Sequence, residues 1–231
     1  MKAGVTDLSG VRERIRNSGI YLVTDTALCG PRGVVDTVRA AVAGGVETIQ
    51  VREKEASAAD FYALVLAVAD AVGDRATVLV DDRVDIYLAA RAARAGVHGV
   101  HVGQNDLPAE LVRTLVGPDA VVGLTANTAE HLAKLAALPP GTVDYLGAGV
   151  IRPTRTKPDH PKPLGISGFA DFAARAPLPV VAIGGILRGD VGGLRAAGAT
   201  GAAVVSAICA AADPEAAAAE LVRAWQARSP A

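Results

Sequence analysis

Short apolar runs alternate with longer segments of helical period along almost the whole chain, and seven of the runs stop in a compact polar cluster at their C-terminal end. The run 46–49 leads into Gln50, Arg52, Glu53 and Lys54, and the run 77–80 into Asp81, Asp82 and Arg83. The run 99–102 meets Gly103, Gln104, Asn105 and Asp106, and the run 120–123 meets Thr125 and Asn127. The run 144–147 leads towards Thr154, Arg155, Thr156 and Lys157, the run 180–183 ends in Gly184 and Gly185, and the run 203–205 ends in Ser206. If the runs are parallel strands of one sheet, all seven clusters share one rim.

Between the runs, helical spacing predicts helices over 34–43, 58–72, 86–95, 108–116, 129–138, 168–176, 191–197 and 214–228. The clearest is 58–72, apolar at Phe61, Leu64, Val65, Val68 and Val72. Ser57 is a natural N-cap for it, Asp106 or Leu107 precedes Pro108 at another start, and Asp213-Pro214-Glu215 joins a capping side chain, an N1 proline and an acidic first turn. Stops fall at Gly44-Gly45, Gly73, Gly96, Gly117 and Gly198. With the run 20–24 in front there are eight strand candidates, each followed by a helix, at the roughly 20–35-residue repeat of a crossover unit. Such alternation means a parallel sheet with right-handed crossovers, and eight units close into a barrel. An open doubly wound sheet is the alternative, but it usually has fewer strands and places its ligand in one crevice. The predicted fold is therefore α/β: a single-domain TIM (β/α)8 barrel over 20–231, preceded by an extension, 1–19, with a helix over 11–15 that covers the barrel floor. The stretch 153–163 is the one long proline-rich irregular segment, and loops of that length are usually functional or mobile.

Composition narrows the picture. The chain has 231 residues, ordinary for one such barrel (~250 residues), and is 51% hydrophobic with only 3% aromatic, so its core is aliphatic. Twenty-three basic against 24 acidic residues leave a net charge of −1, which offers neither a nucleic-acid surface nor a polybasic membrane anchor. The N-terminus lacks the apolar core of a signal peptide, and 196–212 is broken by Gly198, Thr200, Gly201 and Ser206, which argues against a membrane span of ~20 apolar residues. Cys29 and Cys209 lie near opposite ends without metal-ligand spacing and read as reduced thiols. A cytoplasmic enzyme acting on small molecules is expected, and its oligomeric state is left open.

Barrel active sites lie at the C-terminal ends of the strands, so the polar clusters converge on one basin. Asp82 and Asp106 follow neighbouring strands. Two carboxylates on adjacent loops suit a hard cation such as Mg2+, which keeps waters and takes substrate phosphate oxygens. The competing reading makes each a helix cap, at 85 and at 108. Arg52, Lys54 and Lys157 are cations on the rim, where such residues are most often only solvated surface charge. Gln50, an amide ending a buried strand, needs polar partners. Thr154-Arg155-Thr156-Lys157 combines hydroxyls with charge in a loop suited to an anionic group. Gly184-Gly185 and Val205-Ser206 fall where barrels commonly hold phosphate, although a Gly-Gly pair also serves close backbone packing. His101 reads as a structural histidine beside Asp106, while His98, His131 and His160 look incidental. No Cys/His metal motif, nucleophile elbow or dinucleotide fingerprint occurs. Two anion sites with Mg2+ point to transfer chemistry at a diphosphate-activated carbon.

At these residues the chain resembles the thiamine-phosphate synthase family. The likeness rests on Gln50-Val51-Arg52-Glu53-Lys54, Val80-Asp81-Asp82-Arg83-Val84-Asp85, Gly99-Val100-His101-Val102-Gly103-Gln104-Asn105-Asp106, Pro153-Thr154-Arg155-Thr156-Lys157-Pro158, Ala182-Ile183-Gly184-Gly185-Ile186 and Val204-Val205-Ser206-Ala207-Ile208. The resemblance implies that hydroxymethylpyrimidine diphosphate and a thiazole phosphate carboxylate react, through a pyrimidine carbocation, to give thiamine phosphate, diphosphate and carbon dioxide. It further implies Mg2+ on Asp82 and Asp106, and Lys54, Asp82, Asp106 and Lys157 as catalytic residues. Gln50, Val51, Arg52, Glu53, Lys54, Asp81, Thr125 and Lys157 would contact the pyrimidine diphosphate. Thr154, Arg155, Thr156, Gly185, Val205 and Ser206 would hold the thiazole phosphate, with 154–157 as the lid. Thr125 stands where the family usually has serine, and Asp81 where it usually has asparagine. Beside a diphosphate that extra carboxylate is repulsive unless a cation or a raised pKa offsets it. The rival readings are a thiazole tautomerase, which lacks the paired metal carboxylates, and a non-catalytic thiazole-phosphate sensor on the same barrel.

Overall fold

The computed structural model describes residues 8–154 and 162–227. In chain order the elements are α1 (Leu8–Arg16), β1 (Gly19–Val23), α2 (Thr26–Cys29), α3 (Gly33–Ala43), β2 (Thr48–Val51), α4 (Ala58–Val72), β3 (Thr77–Asp81), α5 (Val84–Ala92), β4 (Gly99–Val102), α6 (Ala109–Val116), β5 (Val121–Thr125), α7 (Ala129–Ala136), β6 (Tyr145–Gly149), α8 (Gly165–Ala173), β7 (Val180–Ile183), α9 (Val191–Ala196), β8 (Gly201–Val204), α10 (Ser206–Cys209) and α11 (Pro214–Gln226). The strands pair in sequence order and close into a barrel. Every neighbouring pair is parallel, and β1 closes on β8 with Gly19 opposite Gly201 and Leu22 opposite Val204.

Helix α4 has the predicted bounds, and Ser57 caps it by accepting from the Asp60 N–H at 3.1 Å. Asp213 caps α11 in the same way, from the Ala216 N–H at 3.0 Å, with Pro214 in the first turn. Elsewhere the ends move by a few residues. Several strands run one or two residues further into their polar clusters than the apolar runs suggest, so Gln50, Asp81 and Thr125 are strand residues. Helix α5 ends at Ala92, capped by Ala93 and not by Gly96.

Strand alternation sorts the side chains into two cores. Ile20, Leu22, Ile49, Val51, Val78 and Val80 point outwards into the layer shared with the helices. Tyr21, Val23, Leu79, Val121, Tyr145, Val181 and Ala203 point inwards and fill the barrel. Helix α1 seals the lower end, with Val11 and Ile15 each 1% exposed in that inner core. Arg12 fastens the seal through Asp144 (3.0 Å) and the Pro118 carbonyl (2.7 Å), while Asp144 also accepts from Arg113 (2.6 Å) and the Val122 N–H (2.8 Å). The sequence expectation of a helix covering the floor therefore has a packing reason: without it the inner apolar layer would face water.

Closure of β1 on β8 also brings together Cys29 on α2 and Cys209 on α10, far apart in the chain, as buried free thiols, and the Cys209 thiol donates to the Val23 carbonyl at 3.8 Å. Among the described residues no helix is long and apolar enough to cross a membrane.

Ile15→Ala should lower stability by about 2–5 kcal/mol, the usual range for truncating a buried isoleucine. Chemical denaturation checks this; a loss under about 1 kcal/mol would mean that α1 is not part of the cooperative core.

Candidate active site

The C-terminal mouth of the barrel opens into a cavity of about 400 Å3. Its walls carry Gln50, Arg52 and Lys54 from β2 and its loop, Asp81 and Asp82 from the end of β3, and Gly103 and Asp106 after β4. Thr125 and Asn127 follow from β5, Thr154 from the loop after β6, Gly184 and Gly185 after β7, and Val205 and Ser206 after β8. Inward-facing Tyr21, His101 and Tyr145 form the lower part.

One side of the cavity is built from charge. Lys54 Nζ is in direct hydrogen-bonding contact with Asp82 and lies 3.4 Å from Asp81 Oδ2. Arg52 bridges Asp81 (3.7 Å) and Asp25 (3.6 Å). Asp82 has φ +56°, a left-handed backbone uncommon for a residue with a side chain, and its N–H is tied to the His101 carbonyl at 2.8 Å. Strain of this kind gathers at functional sites. The Asp82 and Asp106 carboxyls are close enough to shift each other's protonation, and Asp106 accepts from the Gly103 N–H at 2.7 Å.

The charges set one another's protonation. Burial pushes Asp82 up, but the Lys54 hydrogen bond and charge, with smaller help from Asp106, hold it below the usual carboxylate range. Asp106 is raised, first by burial and then by Asp82, against the Gly103 N–H. Burial draws Lys54 down, and its ion pairs outweigh this to leave it raised. Asp81 is pushed up to about 7 by burial and by the neighbouring Asp82, against Lys54 and Arg52.

Two carboxylates in contact are unfavourable unless a proton or a cation sits between them. That arrangement fits a hard divalent cation. Among the described residues no group of three or more His, Cys, Asp or Glu side chains could hold a metal, so a cation at this place would have Asp82 and Asp106 as its protein ligands and take water and substrate oxygens at its remaining positions. The capping alternative does not hold. The N-caps are Arg83 for α5 and Pro108 for α6, neither with a side-chain capping bond.

The opposite side is built from backbone. Gly184 and Gly185 have φ +95° and +67°, and both are pressed against the loop after β6. A Cβ on Gly184 would fall 2.4 Å from Val150 Cγ1, and one on Gly185 2.7 Å from the Arg152 carbonyl oxygen. Close backbone packing and a place in the cavity thus coincide at this pair. Arg152 and Asp190 join the two loops with paired bonds of 2.9 and 2.6 Å, and Asp190 also accepts from the Leu187 N–H at 3.0 Å. The Asp190 carboxyl is held below its usual range mainly by the Arg152 hydrogen bond.

Of the residues expected from sequence, Gln50, Arg52, Lys54, Asp81, Asp82 and Asp106 share the cavity with Thr125, Thr154, Gly185, Val205 and Ser206. The Val51 side chain is buried in the outer core, because it follows inward-facing Gln50. Glu53 is turned towards Thr26, which donates to it, and accepts from the Glu55 N–H at 2.9 Å; neither residue lines the cavity. Arg155, Thr156, Lys157 and most of the proposed lid lie outside the described residues, as does His160. Sequence reasoning gave no role to Tyr21 or Tyr145; His101, read as a structural histidine, has its ring bonded to Tyr145 and Thr125 and also lines the cavity. The signal available was the period-two alternation, which places all three on the inward face. The Arg152–Asp190 clamp had no local signal.

A closed parallel barrel whose catalytic-end mouth gathers acids, cations and glycine loops is a (β/α)8-barrel enzyme site. The family model for thiamine monophosphate synthase matches residues 20–208. The chain belongs to that family, and so to the transferases of thiamine biosynthesis. It is similar to the thiamine-phosphate synthase of Corynebacterium efficiens, 50% identical over 181 residues, covering 78% of this chain and 83% of the relative. It is also similar to that of a Psychrobacter species, 39% identical over 203 residues, covering 88% and 93%. Among solved structures, thiamine phosphate pyrophosphorylase from Pyrococcus furiosus superposes with a TM-score of 0.78 at 31% identity, covering 92% of this chain and 98% of that one.

Asp190→Asn should cost about 1–3 kcal/mol at neutral pH, since a charge-assisted bond to Arg152 is lost. A carboxyl whose folded pKa is depressed stabilises above its unfolded pKa (~3.9) and loses that contribution as pH falls through the folded value. The stability gap between wild type and variant should therefore narrow below about pH 4. A gap independent of pH in urea titrations would contradict the clamp.

Proposed function

We propose that the cavity joins a pyrimidine-methyl diphosphate to a thiazole phosphate carboxylate, with the acidic and cationic side serving the first substrate and the glycine side the second. The observation that carries this is the pairing of Lys54, Asp82 and Asp106 across one cavity from Gly184, Gly185 and Ser206. Asp82 and Asp106 would hold Mg2+, which when bound would neutralise charge on the diphosphate. Lys54 and Arg52 point cationic donors at the same group, and Lys54 stabilises the charge that grows as the C–O bond breaks. The bonding electrons leave with the diphosphate. The pyrimidine-methyl cation left behind is held by Gln50 and Thr125 and captured by the thiazole nitrogen; the thiazole carboxylate departs as carbon dioxide, leaving its bonding electrons on the ring carbon, which takes a proton from water. Thr154, Arg155, Thr156, Gly185, Val205 and Ser206 are assigned to the thiazole phosphate, and Lys157 to the diphosphate. The inward-facing apolar side chains of Val23, Val181, Ile183 and Ala203 limit water beside the cation.

The paired carboxylates favour a synthase over a tautomerase, whose reaction has no diphosphate to release. Incubation with both substrates and Mg2+, with thiamine phosphate and diphosphate measured together, tests the reading; tight thiazole-phosphate binding without product would favour the sensor.

Asp82→Ala should lower kcat/KM by about 10²–10³-fold with the circular dichroism unchanged, and chelation of Mg2+ should silence the wild type. A near-normal rate in the variant would remove Asp82 from the metal site. Asp81→Asn should leave KM for the pyrimidine diphosphate equal or lower, because Lys54 and Arg52 are then shared with one fewer carboxylate. A several-fold rise in that KM would assign Asp81 a positive role in binding.

A further inference from the structure

Along the lower part of the cavity runs a continuous chain of side-chain hydrogen bonds whose inner members, Tyr21, Tyr145 and His101, the proposed reaction does not use. Gln50 Nε2 donates to Tyr21 Oη at 2.9 Å, Tyr21 Oη meets Tyr145 Oη at 2.9 Å, Tyr145 Oη meets His101 Nδ1 at 2.9 Å, and His101 Nε2 meets Thr125 Oγ1 at 3.0 Å. It links the inward faces of β2, β1, β6, β4 and β5, and both ends, Gln50 and Thr125, open into the cavity.

Donor and acceptor counting gives this chain a direction. A phenol has one proton to donate. Tyr21 accepts from Gln50, so its proton goes to Tyr145. Tyr145, accepting from Tyr21, sends its own proton to His101 Nδ1. That nitrogen must then be the bare one, and the ring proton sits on Nε2 and is donated to Thr125 Oγ1. A doubly protonated ring would leave the buried Tyr145 O–H with no acceptor in the chain, at the cost of an unsatisfied buried donor. At the two ends the consequence reaches the cavity. The Gln50 nitrogen is engaged by Tyr21, so its carbonyl oxygen is the atom offered to the cavity as an acceptor. The Thr125 oxygen is occupied by His101, so its proton is offered as a donor.

The barrel makes room for this chain. An inward Cβ on Gly123 would lie 2.3 Å from Tyr145 Cζ and 2.4 Å from His101 Nδ1, and one on Gly147 would lie 3.0 Å from His101 Cε1. Two neighbouring strands therefore carry glycine where any other side chain would push the Tyr145–His101 pair apart. Both phenols are fully buried, and burial drives them far above the ordinary tyrosine range, so they stay neutral and keep the protons they relay.

We infer that Tyr21 and Tyr145 are positioning residues that, acting through His101, fix Gln50 as an acceptor and Thr125 as a donor towards the substrate ring. Such a pair of groups selects a heteroaromatic ring with an exocyclic amino donor on one edge and a ring-nitrogen or phosphoryl acceptor on another. The inference rests on the proposed function for its substrate, an aminopyrimidine diphosphate. The hydrogen-bond chain itself does not depend on substrate.

Two measurements test it. In substrate-free protein labelled with 15N at histidine, and assigned by comparison with His101→Gln, the His101 signals should show a bare Nδ1 and a protonated Nε2. Tyr145→Phe should abolish that single tautomer. In steady-state kinetics, Tyr145→Phe and Tyr21→Phe should each raise KM for the pyrimidine diphosphate about tenfold while KM for the thiazole phosphate stays put. Should Tyr145→Phe fail to fold, Tyr21→Phe carries the same kinetic test. A proton on Nδ1 in the wild type, or an unchanged pyrimidine KM in a folded Tyr→Phe variant, would overturn the inference. A wild-type protein that makes no thiamine phosphate would instead overturn the proposed function, with the NMR measurement still deciding the chain.

Discussion

The barrel depends on the parallel pairing of β1 with β8, which turns an open row of strands into a ring. Its register, with Gly19 opposite Gly201 and Leu22 opposite Val204, decides which residues face inwards all the way round. A slip of one residue would exchange the two faces of a strand. Tyr21 would then join the helix layer and Leu22 the cavity. The same closure brings α2 and α10 together, so that Cys29 and Cys209 touch, and it sets the glycine loop after β7 and Ser206 across from the acids of β3 and β4. Helix α1 finishes the construction by covering the lower end of the inner core.

Within that ring the mouth gathers opposed charges in a confined space. The mutual repulsion of Asp81, Asp82 and Asp106 is offset by Lys54, in contact with Asp81 and Asp82, and by Arg52 beside Asp81. The asparagine-to-aspartate departure at position 81 thus has a local account. The side chain is buried between two cations, and burial with the Asp82 charge raises its pKa towards neutrality. The offset that the sequence reading required is supplied by neighbouring residues whose contact no local pattern announces. Asp82, with its left-handed backbone, turns its carboxylate to both Lys54 and Asp106 instead of capping α5, the role an isolated aspartate in such a loop would more often take.

The polar parts of the molecule do different work at different depths. At the rim, ionic contacts are partly exposed and adjustable, as befits groups that must exchange protein partners for substrate. Below them, the Gln50–Tyr21–Tyr145–His101–Thr125 chain is buried at Gln50 and the two tyrosines, half-buried at His101 and Thr125, and bonded link by link, and buried networks of this kind rigidify what stands on them. Between the loops after β6 and β7, the Arg152–Asp190 clamp and two glycines hold backbone against backbone. Family membership is consistent with this construction: the matched region, residues 20–208, runs from the start of β1 into α10.

Much of the fold was legible in the chain because it follows from local periodicity. The alternation of apolar runs with helical segments determined eight strand–helix units, Ser57 and Asp213 determined two helix starts, and the polar ends of the runs determined which rim carries the chemistry. Strand period also determined that Gln50 and Val51 face opposite ways, although their shared motif drew both into the expected site. What only the tertiary structure decided were pairings between residues far apart in the chain. Lys54 with Asp82, Arg152 with Asp190, Cys29 with Cys209, and Tyr21 with Tyr145, 124 residues away, have no signature in any short window. They arise because closure and register bring particular atoms to hydrogen-bonding distance, and that geometry is a property of the whole ring.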